Sequence, residues 1–257
     1  MSDITQTGSI VAWWSGGITS AVACKKALEL YPNVRLVYIE TGAHHPDTMR
    51  FKDDCEKWYG KEIETIQNAK GYEDHLDVIR KTKYVNGPTG ARCTLELKRR
   101  VREVWEKQQD IKGYVWGFEF GKKEEGRADR IKTSIPKYEH FFPLIECKLT
   151  KQDCIKLVSE VGIEIPTMYK LGFNNNNCVG CVKGGMAYWN QVRKHFPDVF
   201  EKMAKAERVV GKSCLKRYYL DELPEDAGRG QAPLIQDCGS TGEGCQTELS
   251  RQYHQRD

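Results

Sequence analysis

The sequence lacks three features that would place it in a specialised class. No run of about 18 apolar residues occurs, so a membrane-spanning helix is not expected. Cysteine, 10 of 257 residues, is too scarce for a small disulfide scaffold, in which it exceeds roughly 8–10%. The net charge of +4 is too small to demand a nucleic-acid partner, although a local basic face remains compatible with one. These absences favour an ordinary globular protein without a membrane partner.

The first nine residues, MSDITQTGS, are polar and lack the basic and then apolar pattern of a secretory signal. We therefore expect a cytoplasmic protein, in which thiols stay reduced. In that compartment, metal binding or redox chemistry is expected of paired cysteines ahead of structural disulfides.

Short apolar runs alternate with stretches of helical periodicity in the first half of the chain. Strands are predicted over four segments: 10–14, 34–39, 63–66 and 113–120. Helices are predicted over three: 18–30, 47–59 and 94–109. This alternation predicts an α/β fold built on a doubly wound parallel sheet. Ligands of such sheets bind at the carboxyl ends of the strands.

From about residue 145 the pattern changes to helices and turn-rich loops. Thr150 is predicted to cap a helix that runs through Val161, with Asp153 three residues on. A cysteine-bearing stretch and another helix follow. We therefore divide the chain into an α/β nucleotide-binding domain, 1–147, and a helical and loop region, 148–257.

A glycine-rich turn, SGGITS, connects the first predicted strand to the first helix. Glycine lets the backbone turn sharply, and the helix N-terminus adds a positive partial charge that suits phosphate. Six residues are therefore candidates for binding the phosphates of a nucleotide: Ser15, Gly16, Gly17, Ile18, Thr19 and Ser20. A tight turn with a helix cap is the simpler alternative. The turn is not the eight-residue loop ending in Gly-Lys-Ser/Thr.

Five cysteines are candidate metal ligands. Cys178 and Cys181 have the two-residue spacing that lets two thiolates reach one metal centre. Cys238 and Cys245 form a looser pair, and Cys93 stands alone. A [4Fe–4S] cluster, a tetrahedral zinc site and a plain structural dithiol all remain open. The other cysteines lie in or beside helical apolar patterns and are expected to pack in the core: Cys24, Cys55, Cys147, Cys154 and Cys214.

Charge and histidine patterns give further candidates. In the charged segment 121–130, Arg127 and Arg130 are three residues apart and share one face if the segment is helical. Such arginines bind phosphate or sulfate oxygens bidentately, and a solvated, mobile loop is the alternative. His44 and His45 are adjacent, and adjacent side chains in a loop rarely converge on one ion, so we expect polar loop histidines.

Several segments together resemble the phosphoadenosine phosphosulfate reductase family of the adenine nucleotide alpha-hydrolase superfamily. The SGGITS turn is similar to the superfamily's pyrophosphate loop, commonly SGG-Lys-Asp-Ser, with Ile18 and Thr19 in place of the Lys and Asp. The other segments follow in family order: IETGAHHPDTMRF (39–51), ARCTLELK (91–98), NCVGCVKGG (177–185) and QDCG (236–239). The fold implied is Rossmann-like.

The resemblance implies that the chain binds ATP or phosphoadenosine phosphosulfate, with Mg²⁺ as a further candidate cofactor. The end of the second strand would line the nucleoside pocket through four residues: Ile39, Glu40, Thr41 and Gly42. Gly117 and Phe118 would close on the nucleotide. Because the loop lacks its usual Lys, the cation that contacts phosphate would come from Lys98, Arg127 or Arg130.

The resemblance also implies sulfur chemistry of one of two kinds. In sulfonucleotide reduction, the Cys238 thiolate attacks sulfur and a thioredoxin-like partner releases sulfite. The family's usual Glu-Cys-Gly-Leu-His ending is Asp-Cys-Gly-Ser-Thr here, which weakens this route. In the second kind, ATP adenylates an oxygen of a nucleic acid or small molecule before sulfur insertion, as in DNA phosphorothioation and tRNA thiolation. The intact SGG-x-x-S favours it, because sulfonucleotide reductases tend to lack that motif.

For the metal, the resemblance favours iron–sulfur over zinc. Adenylyl sulfate reductases use a Cys-Cys pair plus Cys-x-x-Cys, and the pair position here is Cys93-Thr94. Cys238 or Cys245 would supply the missing ligand, or one iron would stay open. A zinc-stabilised nucleic-acid-binding module is the non-enzymatic alternative, in which the segment 188–195 stacks on bases. For the ATP-dependent thiolation reading, a basic face would come from Lys98, Arg99, Arg100 and Arg102, and a solvated helix surface is the alternative. A homodimer is a further candidate assembly.

Overall fold

The computed structural model describes residues 8–87 and 90–230, so Cys238 and Cys245 lie outside the described residues. Its strands are β1 Ser9–Trp13, β2 Val34–Glu40, β3 Glu64–Gln67, β4 Ile111–Val115 and β5 Glu139–Phe141. Its first six helices are α1 Ile18–Leu30, α2 Asp47–Tyr59, α3 His75–Thr82, α4 Arg92–Thr94, α5 Arg100–Glu106 and α6 Lys122–Ser134. Five follow: α7 Pro143–Glu146, α8 Lys151–Glu160, α9 Thr167–Lys170, α10 Met186–His195 and α11 Pro197–Val210. A π-helical turn, Leu95–Arg99, joins α4 to α5, and a 3-10 turn spans Leu220–Glu222.

The five strands form one sheet in the order β3-β2-β1-β4-β5. The pairs β1–β2, β1–β4 and β4–β5 are parallel. β1 lies at the centre and is covered on both faces, which explains its nearly continuous apolar sequence. The predicted doubly wound α/β fold is confirmed, and helices follow it in the C-terminal part of the chain.

The strand order reverses at β1, whose two neighbours are β2 and β4. In doubly wound sheets, the carboxyl ends of the strands at such a reversal border the ligand crevice. The turn that follows β1 is SGGITS, and the turn that follows β4 contains Gly117. Topology therefore brings two of the predicted nucleotide-binding segments to one edge of the sheet.

Local signals fix several helices where the sequence predicts them. α1 and α2 have the predicted bounds, and α2 ends at Gly60 in the left-handed conformation, φ 64°. Thr150 and Asp153 form a capping box at the start of α8, because each side chain bonds the other's backbone N–H.

Two segments differ from the prediction. The expected helix over 94–109 is interrupted by the π-helical turn, which ends before α5. The expected strand over 113–120 ends at Val115, because the chain turns out of the sheet at Gly117. The charged segment after it is helical as α6.

The described chain divides into two compact units that interleave along the sequence. Unit 1 comprises 8–39, Pro46–Ile66 and Glu103–Pro166, and it holds the sheet except for the last residues of β2 and β3. Unit 2 comprises Glu40–His45, the described part of Gln67–Arg102, and 167–230. The domain boundary near residue 147 stays a prediction. Among the described residues, no helix is long and apolar enough to cross a membrane.

Candidate functional site

The SGGITS turn of unit 1 forms a cradle of the kind that binds anions. Gly16 is buried and has φ 81°, a backbone conformation that is strained for any residue with a side chain. Gly17 is the N-cap of α1 and makes no side-chain cap bond. The first turn of α1 contains no acidic residue. The positive end of the helix dipole is therefore not neutralised by the helix's own side chains.

The buried Ser20 side chain closes this turn on itself. Its Oγ accepts hydrogen bonds from the backbone N–H of Ser15 at 3.1 Å and from the Ser15 hydroxyl at 3.0 Å. It donates one to the Gly17 carbonyl at 2.8 Å. Ser15 itself is exposed, and Thr19 is half-buried. The shape of the turn therefore depends on Ser20, while Ser15 and Thr19 present hydroxyls at its surface.

Gly117 brings the turn after β4 against the first turn of α1. A Cβ on Gly117 would lie 2.8 Å from Ser20 Cα and 2.9 Å from Ser20 N. Phe118, the next residue, is buried. Only glycine permits this approach, so the two edges of the predicted crevice are in contact in unit 1.

The predicted phosphate-binding arginines lie on α6. The Arg127 guanidinium lies 4.0 Å from the centre of the Phe118 ring and donates to Glu124 at 3.1 Å. Arg130 is exposed. Arg127 thus contacts a predicted nucleotide-binding residue, and Arg130 does not bury its charge.

In unit 2, the residues that follow β2 form a tight turn. One carboxylate oxygen of Glu40 accepts from the backbone N–H groups of Thr41 and Gly42, both at 2.7 Å. Gly42 has φ 70°, and a Cβ there would lie 1.8 Å from the Glu73 carbonyl. Glu40 therefore shapes this turn, and Gly42 is irreplaceable at that contact. Ile39, at the end of unit 1, is buried.

The two adjacent histidines have different neighbours. His44 is buried, and its Nδ1 lies 3.3 Å from Thr41 Oγ1 and 3.8 Å from Glu40. Burial lowers the pKa of His44, Glu40 opposes that shift, and Lys98 adds to it. The His45 ring packs edge-on against Phe196, with centroids 5.7 Å apart. The pair does not converge on a shared ligand.

Three predicted metal ligands line one small cavity of unit 2. The lining residues are Thr41, His75, Cys93, Thr94, Leu97, Lys98, Cys178, Cys181 and Val182. The Sγ of Cys178 lies 3.4 Å from Thr41 Oγ1. The cavity volume of about 20 Å³ is that of a single water molecule. Cys93, Cys178 and Cys181 therefore line one common small cavity.

Hydrogen bonds with Tyr188 and with Ala43 hold the Cys178–Cys181 turn in place. The Tyr188 hydroxyl accepts from the Cys181 N–H and donates to the Cys178 carbonyl, both at 3.0 Å. The Val179 N–H donates to the Ala43 carbonyl at 2.8 Å. Gly180 has φ 77°, and a Cβ there would lie 2.6 Å from Val199. These contacts fix the backbone of the turn that carries the two thiols.

Lys98 reaches the same cavity from the π-helical turn. Glu96, two residues earlier in the same π-helical turn, is buried and pairs with three cations: Arg92 at 3.1 Å, Lys70 at 3.0 Å and Arg100 at a shorter distance. π-helical turns often occur at functional sites. Arg102 is buried, so the predicted basic face loses that residue.

The residues around the cavity fit a thiolate-bound metal centre by their chemistry. Cys93, Cys178 and Cys181 line the cavity together with the buried His75, whose two ring nitrogens make no hydrogen bond of normal geometry within the described chain. Among the described residues, however, no three His, Cys, Asp or Glu side chains stand close enough to share one ion. A cluster spaces its ligands more widely, since each thiolate binds a different iron. The cavity must also widen to admit a cluster.

The remaining described cysteines do not join this set. Cys24, Cys55 and Cys154 are buried, as expected for packing residues. Cys214 is half-buried, and burial followed by the nearby Glu207 raises its pKa. Cys147 is exposed, so its predicted core position is wrong, because it follows the short helix α7 at the surface.

Two features differ from what sequence patterns suggested. Tyr188 and Trp189 are fully buried in the core of unit 2, so the expected stacking of these rings on bases is wrong. Their helical spacing belongs to core packing. His75 was missed altogether, because no motif marks it. Its only local signal is its position after Asp74, which caps α3 by accepting from the Asp77 N–H.

Comparison with known proteins identifies a family. The family model described as the phosphoadenosine phosphosulfate reductase domain matches residues 9–185. Among solved structures, the phosphate complex of phosphoadenylyl-sulfate (PAPS) reductase from Candida auris is 13% identical, with a TM-score of 0.48. That match covers 68% of this chain and 84% of the reductase chain. A search among curated proteins finds no match.

Proposed function

We propose that this chain, which belongs to the phosphoadenosine phosphosulfate reductase domain family, binds an adenine nucleotide through the SGGITS turn and carries out sulfur chemistry with its cysteines. The observation that carries the proposal is the cavity on which Cys93, Cys178 and Cys181 meet. Three thiols that line one closed space suit sulfur or metal chemistry better than core packing.

The nucleotide-binding part of the proposal rests on unit 1. The SGGITS turn lies at the reversal of strand order, and Gly117 is fitted against Ser20. Backbone N–H groups at such a turn recognise phosphate without needing a particular side chain. This supports binding of ATP or phosphoadenosine phosphosulfate in the absence of the loop's usual Lys. Lys98, Arg127 and Arg130 remain candidates for a cation that acts on the substrate.

In the reductase route, a cysteine thiolate forms an S–S bond to the sulfonate sulfur while the S–O bond to the nucleotide breaks. Adenosine bisphosphate leaves with the bonding electron pair. A dithiol reductant of the thioredoxin class then reduces the thiosulfonate, releases sulfite and becomes a disulfide. Cys238 stays the predicted nucleophile, outside the described residues.

A second route is ATP-dependent thiolation, and the hydrogen-bonded SGG-x-x-S turn favours it. Here an acceptor oxygen, on a nucleic acid or a small molecule, bonds to the α-phosphorus and pyrophosphate leaves. A sulfur donor then displaces AMP from the acceptor. The two routes share one nucleotide site and differ in substrate and products.

An iron–sulfur cluster is part of the proposal, held by Cys93, Cys178 and Cys181. When bound, it would supply iron that stabilises anionic sulfur. The chain's own residues would fix the thiolates through Tyr188 and keep bulk water out of the cavity.

One experiment separates the routes. Full-length protein, purified without oxygen, is incubated either with phosphoadenosine phosphosulfate and a dithiol reductant or with ATP, a nucleic-acid acceptor and sulfide as the sulfur donor. Sulfite and adenosine bisphosphate would identify the reductase, whereas AMP and pyrophosphate would identify the adenylating enzyme. If neither nucleotide binds in equilibrium dialysis, the proposed function is wrong.

A further inference from the structure

Within the part of the chain that the structure describes, the buried ring of His75 makes no hydrogen bond. It is the first residue of α3 and is 4% exposed. Both ring nitrogens are buried, and in the described part of the chain neither makes a hydrogen bond. The Gly180 backbone approaches the ring, but without the geometry of a hydrogen bond. An unsatisfied buried polar group destabilises the folded state, so its presence requires an explanation.

The position of the ring supplies that explanation. His75 lines the cavity together with the thiols of Cys93, Cys178 and Cys181. Its Nε2 lies 3.4 Å from the point where a Cβ on Gly180 would stand, so the ring lies directly against the turn between the two cysteines. A core histidine normally keeps one nitrogen hydrogen-bonded and thereby fixes its tautomer. Within the described chain, both ring nitrogens of His75 are therefore available to bind a metal, and the ring lies beside cysteine thiols, which are soft metal ligands.

We propose that His75 is the fourth protein ligand of the iron–sulfur cluster whose other ligands are Cys93, Cys178 and Cys181. The inference rests on the cluster of the proposed function and names its ligand set. Imidazole replaces thiolate at iron in some clusters and raises their reduction potential. Neutral imidazole is the state in which the ring binds metals.

This assignment has a consequence for the two tail cysteines. With His75 completing the set, neither Cys238 nor Cys245 is needed to hold the cluster. Both thiols are then available for sulfur transfer, as the reductase route requires of Cys238.

The test compares four variants with the wild type, all full-length and reconstituted with iron and sulfide without oxygen. In His75→Leu, we expect cluster affinity to fall by at least the roughly 10–100-fold seen when an outer-shell partner of a metal ligand is lost. In His75→Cys, we expect wild-type iron content with a lower reduction potential. His45→Leu is the matched control, because His45 packs on Phe196 and does not line the cavity. It should retain wild-type iron content and potential.

Pulsed electron paramagnetic resonance of the reduced cluster gives a direct readout. The wild type and His45→Leu should show the hyperfine coupling of a coordinated imidazole nitrogen, and His75→Cys should not. A wild-type cluster without that coupling, or His75→Leu with unchanged iron content and potential, would overturn the inference. Cys181→Ala distinguishes a wrong assignment of His75 as a ligand from the absence of any cluster. If Cys181→Ala and the wild type contain equally little iron, the cluster of the proposed function is absent.

Discussion

The hydroxyl of Tyr188 accepts a hydrogen bond from the backbone N–H of Cys181 at 3.0 Å. The same hydroxyl donates to the Cys178 carbonyl, so one buried side chain spans the turn that carries both thiols. Burial raises the pKa of Tyr188 well above its ordinary value. The group therefore stays protonated and can serve both bonds at any physiological pH.

Replacing Tyr188 by Phe should destabilise the protein and loosen the thiol pair. The substitution leaves the Cys181 N–H and the Cys178 carbonyl without this partner, at a cost of about 1–3 kcal/mol in the free energy of unfolding. Urea denaturation measures the loss. Tyr138→Phe is the matched control, since the exposed Lys137 is the only hydrogen-bond partner of its hydroxyl among the described residues, and it should change stability by less than about 0.5 kcal/mol. Equal effects of the two substitutions would contradict the role assigned to Tyr188.

Gly117→Ala should weaken nucleotide binding. The added methyl group would lie 2.8 Å from Ser20 Cα, so the turn after β4 must move away from α1. We expect a loss of affinity of about tenfold or more, equivalent to about 1.4 kcal/mol. Equilibrium dialysis with ATP and with phosphoadenosine phosphosulfate measures it. Gly126→Ala on α6 provides the control, because its methyl group meets only a guanidinium nitrogen of Arg130 at 3.8 Å. Unchanged nucleotide affinity in Gly117→Ala would show that the nucleotide does not bind at this edge of the sheet.

Ser20→Ala should open the SGGITS turn. Three hydrogen bonds are lost, and the Ser15 N–H loses the acceptor that positions it. We expect about 1 kcal/mol less stability and a fall of about tenfold in nucleotide affinity. Ser159→Ala removes one exposed bond to the Ile155 carbonyl on α8 and should leave nucleotide affinity unchanged. If both variants bind nucleotide as the wild type does, the turn does not depend on Ser20.

Glu96 should contribute to acid sensitivity. Burial opposes its charge, but the hydrogen bonds from Arg100 and Lys70 prevail and lower its pKa. A carboxyl group whose pKa is lower in the folded state stabilises the protein above its unfolded value of about 4.3, and this contribution disappears as pH falls through the folded value. The free energy of unfolding should therefore fall more steeply from about pH 5 to about pH 3 in the wild type than in Glu96→Gln. Urea denaturation across this range tests it.

Two further observations complete the Glu96 experiment. At neutral pH, Glu96→Gln should lose about 1.5–3 kcal/mol, as expected for hydrogen bonds to a charged group. Glu201→Gln is the control, because Glu201 is exposed on α11 and lies 3.7 Å from Lys205. Parallel pH profiles for the wild type and Glu96→Gln would show that Glu96 does not carry the effect.

Much of unit 1 was predictable because its signals are local. The bounds of α1 follow from the glycine turn before it, and the capping box of α8 is visible in four residues. The end of β4 was not predictable from its apolar run, because Trp116 and Phe118 are buried outside the strand. Burial alone does not distinguish a residue in a strand from a buried residue in the loop that follows it.

The cysteine cavity was predictable only in part. The two-residue spacing of Cys178 and Cys181 identifies them as a candidate pair, and the structure places Cys93 at the same cavity. The place of His75 depends on the approach of Gly180, more than a hundred residues later, and no local pattern encodes such a contact. The π-helical turn that brings Lys98 to the cavity likewise departs from helical periodicity.

The hydrogen bond from Val179 to Ala43 joins residues separated by 179 − 43 = 136 positions. On the ribosome, the later partner is added on the order of ten seconds after the earlier one, at roughly 5–20 residues per second. The turn of residues 40–45 must therefore wait for the last third of the polypeptide before it acquires its native support. The cysteine cavity, which includes Cys178 and Cys181, therefore cannot form until that part of the polypeptide has been synthesised.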